Sequence, residues 1–120
     1  MTNGMVRLTV VFDVSSQRSD EIDEIIDAVR FLMVTTRRQP GCRSCGVWRD
    51  SESAVRYLEE WATEPDMRER VMSDRFTSLL SVIESVERPP IVQFDFVTST
   101  RGLDYVAEVR GGSFPDPPSA

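Results

Sequence analysis

Histidine and lysine are both absent from these 120 residues, and cysteine occurs only twice. Without histidine the chain can form no Ser-His-Asp or Cys-His pair, no imidazole metal site and no histidine-ligated haem. Without lysine it has no Schiff-base amine and no phosphate-loop ammonium. All 14 basic residues are arginine, a bias that reads as GC-rich codon usage rather than as function. The two cysteines, Cys42 and Cys45, form a C-x-x-C, but a structural zinc site needs four ligands and no histidine can complete it. Redox C-x-x-C motifs open a helix, whereas this one enters a strand-like run. A spacing of three predicts that the two thiols face opposite sides of a strand, so they read as packing residues rather than a disulfide. The sequence also lacks any run near the roughly 20 apolar residues that a membrane span needs. Met1 to Met5 has no basic region of the kind that opens a secretory signal, so the expected location is the cytoplasm.

Negative charge, by contrast, is in excess. The net charge of −6 repels phosphate backbones and argues against nucleic acid as a partner. Hydrophobic residues at 40% and charged residues at 28% describe one globular domain able to bury a core without staples. We place that domain at 1–110. Residues 111–120, rich in Pro, Gly and Ser, read as a flexible tail.

The hydrophobic pattern then orders the elements. Met5 to Val14 alternates, with Val6, Leu8, Val10, Phe12 and Val14 on one side, as in a half-buried strand. Ile22, Ile25, Ile26, Val29, Leu32 and Met33 recur at helical spacing. Ser19 is the expected N-cap of that helix, Arg37 and Arg38 its C-terminal end, and Pro40-Gly41 its stop. Cys42–Asp50 and Ala54–Thr63 read as a hairpin around Asp50-Ser51-Glu52-Ser53. Pro65-Asp66 opens a short helix to Met72, and Ser73-Asp74 re-caps a second run from Arg75 to Val86. Pro89-Pro90 ends it, Ile91 to Val97 alternates again, and Arg101 to Arg110 is weakly helical. The order β-α-β-β-α-β predicts a ferredoxin-like α+β fold, an antiparallel sheet with helices on one face. Its other face carries apolar residues and calls for cover, most simply by a second copy of the chain.

In this frame the residues resemble the antibiotic biosynthesis monooxygenase family. The landmarks are Pro40-Gly41-Cys42, Trp48-Arg49-Asp50, Tyr57-Leu58-Glu59-Glu60-Trp61, Ser73-Asp74-Arg75-Phe76 with Leu79-Leu80, Phe94-Asp95 and Arg101-Gly102-Leu103. Their order and spacing, across Val6 to Arg110, identify the family better than any one of them. The resemblance implies a ferredoxin-like dimeric α/β barrel. It also implies oxidation of quinols, anthrones or related aromatics by molecular oxygen, often without metal or flavin. The deprotonated substrate then supplies the electrons, and the protein supplies an apolar pocket, a base and hydrogen bonds. Many members carry histidines in the helical segment after the Trp; the matching positions here are Arg70 and Arg75. Haem-degrading members need a histidine ligand, which this chain lacks.

A candidate site follows. Period 2 puts Glu59 on the side of Tyr57 and Trp61. A carboxylate beside indole and apolar groups has a raised proton affinity, so Glu59 is the candidate base or hydrogen-bond acceptor. Solvation or pairing with arginine is the alternative. Trp61 is the candidate wall for a planar substrate, or a core residue. Arg75, just before Phe76 where relatives carry histidine, is the candidate oxyanion partner, or a solvated arginine. Phe12, Phe76, Leu80 and Phe94 are the expected lining. No metal and no bound cofactor are expected. Parity does not say whether Trp48 lies on a dimer face or in a pocket. Three functions stay open: a cofactor-independent oxygenase acting on an aromatic substrate, a non-catalytic small-molecule binding or dimerising module, and a structural partner of another enzyme.

Overall fold

The computed structural model describes residues 4–111. Of the expected tail, all but its first residue lies outside them. Strand β1 (Val6–Asp13) is followed by helix α1 (Ser19–Thr36), the hairpin β2 (Cys42–Ser51) and β3 (Ala54–Trp61), helices α2 (Glu64–Met72) and α3 (Asp74–Ser85), strand β4 (Ile91–Phe96) and the short helix α4 (Leu103–Val109). The four strands form one antiparallel sheet in the order β2-β3-β1-β4. This is the ferredoxin-like arrangement that the element order predicts.

The alternation in β1 decides which face is covered. Val6, Leu8, Val10 and Phe12 are fully buried under the helices, while Arg7, Val11 and Asp13 point the other way and keep some exposure. In β3 the buried set is Val55, Tyr57, Glu59 and Trp61. Helix α1 lays Ile22, Ile25, Ile26, Val29 and Met33 on this surface. Each such aliphatic or aromatic side chain, fully buried, stabilises the fold by about 1.5–3 kcal/mol. Strand β4 reaches past the helical cover. Phe94 and Phe96 stand on the helix-side face beside Leu8 and Val6, yet remain partly exposed.

Helix α1 stops at Thr36, earlier than Arg37 and Arg38 suggest. Its last turn tightens, with Arg38 N–H bonding to Thr35 O and Gln39 N–H to Thr36 O. The Arg37 guanidinium leaves the helix and donates to Cys45 O. Its N-cap is Arg18 rather than Ser19, and Arg18 N–H bonds to the Glu21 carboxylate at 2.8 Å. Gly41 then turns the chain at φ +91°, where a side chain would strike Asp66.

Two hydroxyls organise the helical junction below Trp61. Thr63 caps α2 by accepting from Asp66 N–H, and Ser73 caps α3 by accepting from Phe76 N–H. Ser73 Oγ also donates to Arg70 O at 2.7 Å, so one residue closes the first helix and opens the second. Among the described residues no helix is long and apolar enough to cross a membrane.

Candidate functional site

The buried face of β3 carries Tyr57, Glu59 and Trp61 in succession, and their polar atoms converge on one carboxylate. Glu59 is fully buried. Its Oε1 accepts from Trp61 Nε1 at 2.8 Å and from Arg70 Nε at 3.1 Å. Its Oε2 accepts from Arg70 Nη2 at 2.7 Å and from the Tyr57 hydroxyl. Those donors fill the approximately four acceptor positions that a carboxylate offers. The Arg70 pair is side-on and bidentate, the strong form of this contact.

Arg70 reaches inward because α2 presents it on the same face as buried Met67, three residues earlier. It is 1% exposed, and its guanidinium lies over the Phe76 ring at 5.1 Å from the centroid. Its Nη1 has no partner among the described residues. Burial works against the arginine charge, but the bonds to Glu59 outweigh it and raise its proton affinity further. Tyr57 moves the same way: burial first, then the Glu59 charge, pushes the phenol well above its ordinary range. The phenol proton is committed to Glu59. The contact between Cys45 Sγ and the Tyr57 oxygen, at 3.4 Å, therefore has the thiol as donor. Burial pushes the Cys45 thiol up to about 11.

The cysteines correct one expectation. A register irregularity between Cys42 and Ser44 inserts an extra residue into β2, so Cys42 stands opposite Trp61 and Cys45 opposite Glu59. Both therefore belong to the inner face, not to opposite faces. Both are free thiols, Cys45 buried and Cys42 partly so.

A cavity of about 420 Å³ adjoins the cluster, bounded by Trp61, Gln39 and Pro40 on one side and Asp66, Glu69, Ser73, Asp74 and Arg75 on the other. The structure thus brings Trp61 and Arg75 to one cavity, while Glu59 is bonded to Trp61 and Phe76 packs on Arg70 without either lining it. It does not bring the rest of the expected lining there. Phe12 pairs with Val55, six residues along β3 from Trp61, a strand distance of about 20 Å. Leu80 lies half-exposed on α3. Phe94 faces a separate groove with Met67, Val71, Met72 and Phe96. Trp48 lies opposite Arg56, so it belongs to the uncovered sheet face with Arg7, Val11 and Leu58. Sequence reasoning missed Arg70 as the partner of Glu59; its signal was the helical spacing from Met67. Among the described residues no group of three or more Cys, Asp or Glu could hold a metal ion.

Fold and cluster together define a ferredoxin-like α+β protein with a charged, hydrogen-bonded core beneath its helices. The family model for antibiotic biosynthesis monooxygenase matches residues 5–79, and the chain belongs to that family. Solved structures agree at the level of fold. A conserved protein from Methanosarcina mazei Go1 superimposes with a TM-score of 0.65 at 19% identity, covering 78% of this chain and 92% of that one. A Mycobacterium tuberculosis protein gives 0.63 at 19% identity, covering 76% and 92%. A structure described as an antibiotic biosynthesis monooxygenase gives 0.60 at 19% identity, covering 76% and 95%. No curated protein matches the chain.

Proposed function

We propose that the protein is a cofactor-independent oxygenase that binds a quinol- or anthrone-like aromatic beside Trp61, and that it works as a cytoplasmic homodimer. The observation that carries this reading is that Trp61 both walls the 420 Å³ cavity and is tied by its Nε1 to a buried carboxylate. The indole is 1% exposed, so it meets the cavity as a small, rigidly held edge against which a planar ring would pack. Arg75 is the one guanidinium among the described residues lining that cavity, and it would pair with a phenolate or enolate oxygen. Glu59 would serve as the acceptor that holds the site together, because its acceptor positions are already taken. Asp66, Glu69 and Asp74 line the cavity and are the carboxylates open to a ligand. One of them would remove the substrate proton. For an anthrone, the resulting enolate reduces oxygen. The CH₂ becomes C=O with one oxygen atom, and the other leaves as water with the two hydrogens. The second copy of the chain would cover the open sheet face around Val11, Trp48 and Leu58.

An oxygen electrode with anthrone and 1,4-naphthoquinol tests this. The expected result is consumption above autoxidation that scales with protein and falls at least tenfold in Arg75→Ala. Consumption equal to the protein-free rate overturns the oxygenase reading. A second reading, a binding module without turnover, is favoured by the engagement of Glu59 with Arg70. It predicts saturable binding of the same aromatics with no oxygen uptake.

A further inference from the structure

We infer that Arg70 and Tyr57 are positioning residues that act through Glu59 to hold the Trp61 indole in one orientation at the cavity wall. Neither lines the cavity, whereas Trp61 does, and both are closed off from solvent. Their effect is transmitted by hydrogen bonds. The χ2 torsion of tryptophan is broad and roughly two-fold, so apolar packing alone leaves the ring two placements. The bond from Trp61 Nε1 to Glu59 Oε1 at 2.8 Å selects one, because a flipped ring would strand a buried donor. That selection works only if the carboxylate itself is fixed. The Arg70 fork sets its plane through Nε at 3.1 Å and Nη2 at 2.7 Å. The Tyr57 hydroxyl, two residues back on the same strand, holds Oε2 from another side.

The groups around the carboxylate make the hold insensitive to pH near neutrality. From β3 there is Tyr57, from β2 Cys45 and Cys42, from α2 Arg70, and from the end of α1 Arg37, which binds Cys45 O. The thiols and the phenol stay neutral there and the guanidinium stays charged. A histidine at position 70 would replace the two-pronged arginine hold with a single titrating donor.

The indole inference needs no ligand; only its consequence for binding rests on the reading that the cavity is the ligand site. The test uses a Trp48→Phe parent, in which Trp61 is the remaining indole of the two. In Tyr57→Phe and Arg70→Gln the acrylamide quenching constant of Trp61 should at least double and its near-ultraviolet dichroism should fall by half, with far-ultraviolet dichroism unchanged. In Arg70→His the emission should titrate where the parent is flat, with a midpoint above the ordinary histidine value of about 6.5 because the Glu59 carboxylate favours the charged imidazole. If Arg70→Gln does not fold, the neutral pair Glu59→Gln/Arg70→Met replaces it, with the same quenching expected. Unchanged quenching in Tyr57→Phe together with a flat Arg70→His profile overturns the inference. With 1,4-naphthoquinone as probe, a parent that binds should lose at least fivefold in affinity in Tyr57→Phe. A parent that does not bind sinks the ligand-site reading, while the quenching result still decides the indole inference.

Discussion

The Arg70 guanidinium meets the Glu59 carboxylate side-on, with Nη2 at 2.7 Å and Nε at 3.1 Å, and both side chains are closed off from solvent. The two come from elements of different kinds, α2 and β3, so this contact joins helix to sheet. It also leaves either residue exposed to a large penalty if the other is lost. Arg70→Met should destabilise the fold by about 3–5 kcal/mol, because it leaves a buried charge uncompensated. Glu59→Gln/Arg70→Met should recover most of that loss. Urea midpoints of the two single variants and the double variant measure the coupling. Additive losses would show that the pair is not an energetic unit.

Stability should decline on the alkaline side. Cys45 has an ordinary value of 9.0 and is pushed up to about 11 by burial, and Tyr57, ordinarily 10.0, is raised as well. In both, folding favours the neutral form. The unfolded chain therefore releases these protons first, and the stability is fully present below about pH 9. It is lost progressively as pH rises through the folded values. Unfolding midpoints should fall steadily from pH 9 to 11, and less steeply in Cys45→Ala. Flat midpoints across that range would contradict the neutral, buried state of both groups.

Gly41→Ala should cost about 1–3 kcal/mol. At φ +91° an added Cβ is strained, and it would lie 2.5 Å from Asp66 Cγ. Asp66 also bonds Thr63 Oγ1 at the start of α2, so the substitution should disturb the rim of the Trp61 cavity as well as the turn. Thermal melting checks the first effect and quenching of Trp61 emission the second.

The uncovered sheet face offers a separate test of association. Leu58→Arg adds charge between Arg7, Val11 and Arg56, residues of the same face. The expected outcome is a fall in mass by light scattering from two chains to one, with unchanged far-ultraviolet dichroism. A single-chain mass for the unmodified protein at micromolar concentration removes the homodimer from the proposal.

Arg75 should behave unlike Arg70. It is exposed at the cavity and has no ion pair among the described residues. Arg75→Ala should change stability by less than about 0.5 kcal/mol. It should nevertheless weaken binding of an anionic aromatic such as 1-hydroxy-2-naphthoate at least fivefold, by fluorescence titration. An unchanged affinity would remove Arg75 from the site.

Periodicity was enough for the architecture and for part of the site. Alternation in β1 and β3, the Ile/Val spacing of α1 and the Ser and Pro stops between helices are local signals, and each fixed an element with its buried side. The same alternation put Tyr57, Glu59 and Trp61 on one face, because strand side chains must alternate. Other features depended on long-range placement. The irregularity at Cys42 and Ser44 arises where β2 meets β3, so its reversal of the cysteine faces is invisible in the C-x-x-C spacing. Phe12 and Trp61 share a face but lie at opposite ends of the strand pair, so a common face did not become a common pocket. Arg70 and Arg75 look alike in sequence. Only the packing of α2 and α3 against the sheet buries the first on a carboxylate and leaves the second at a cavity, because the surrounding dielectric and partners belong to the tertiary structure and not to the residue.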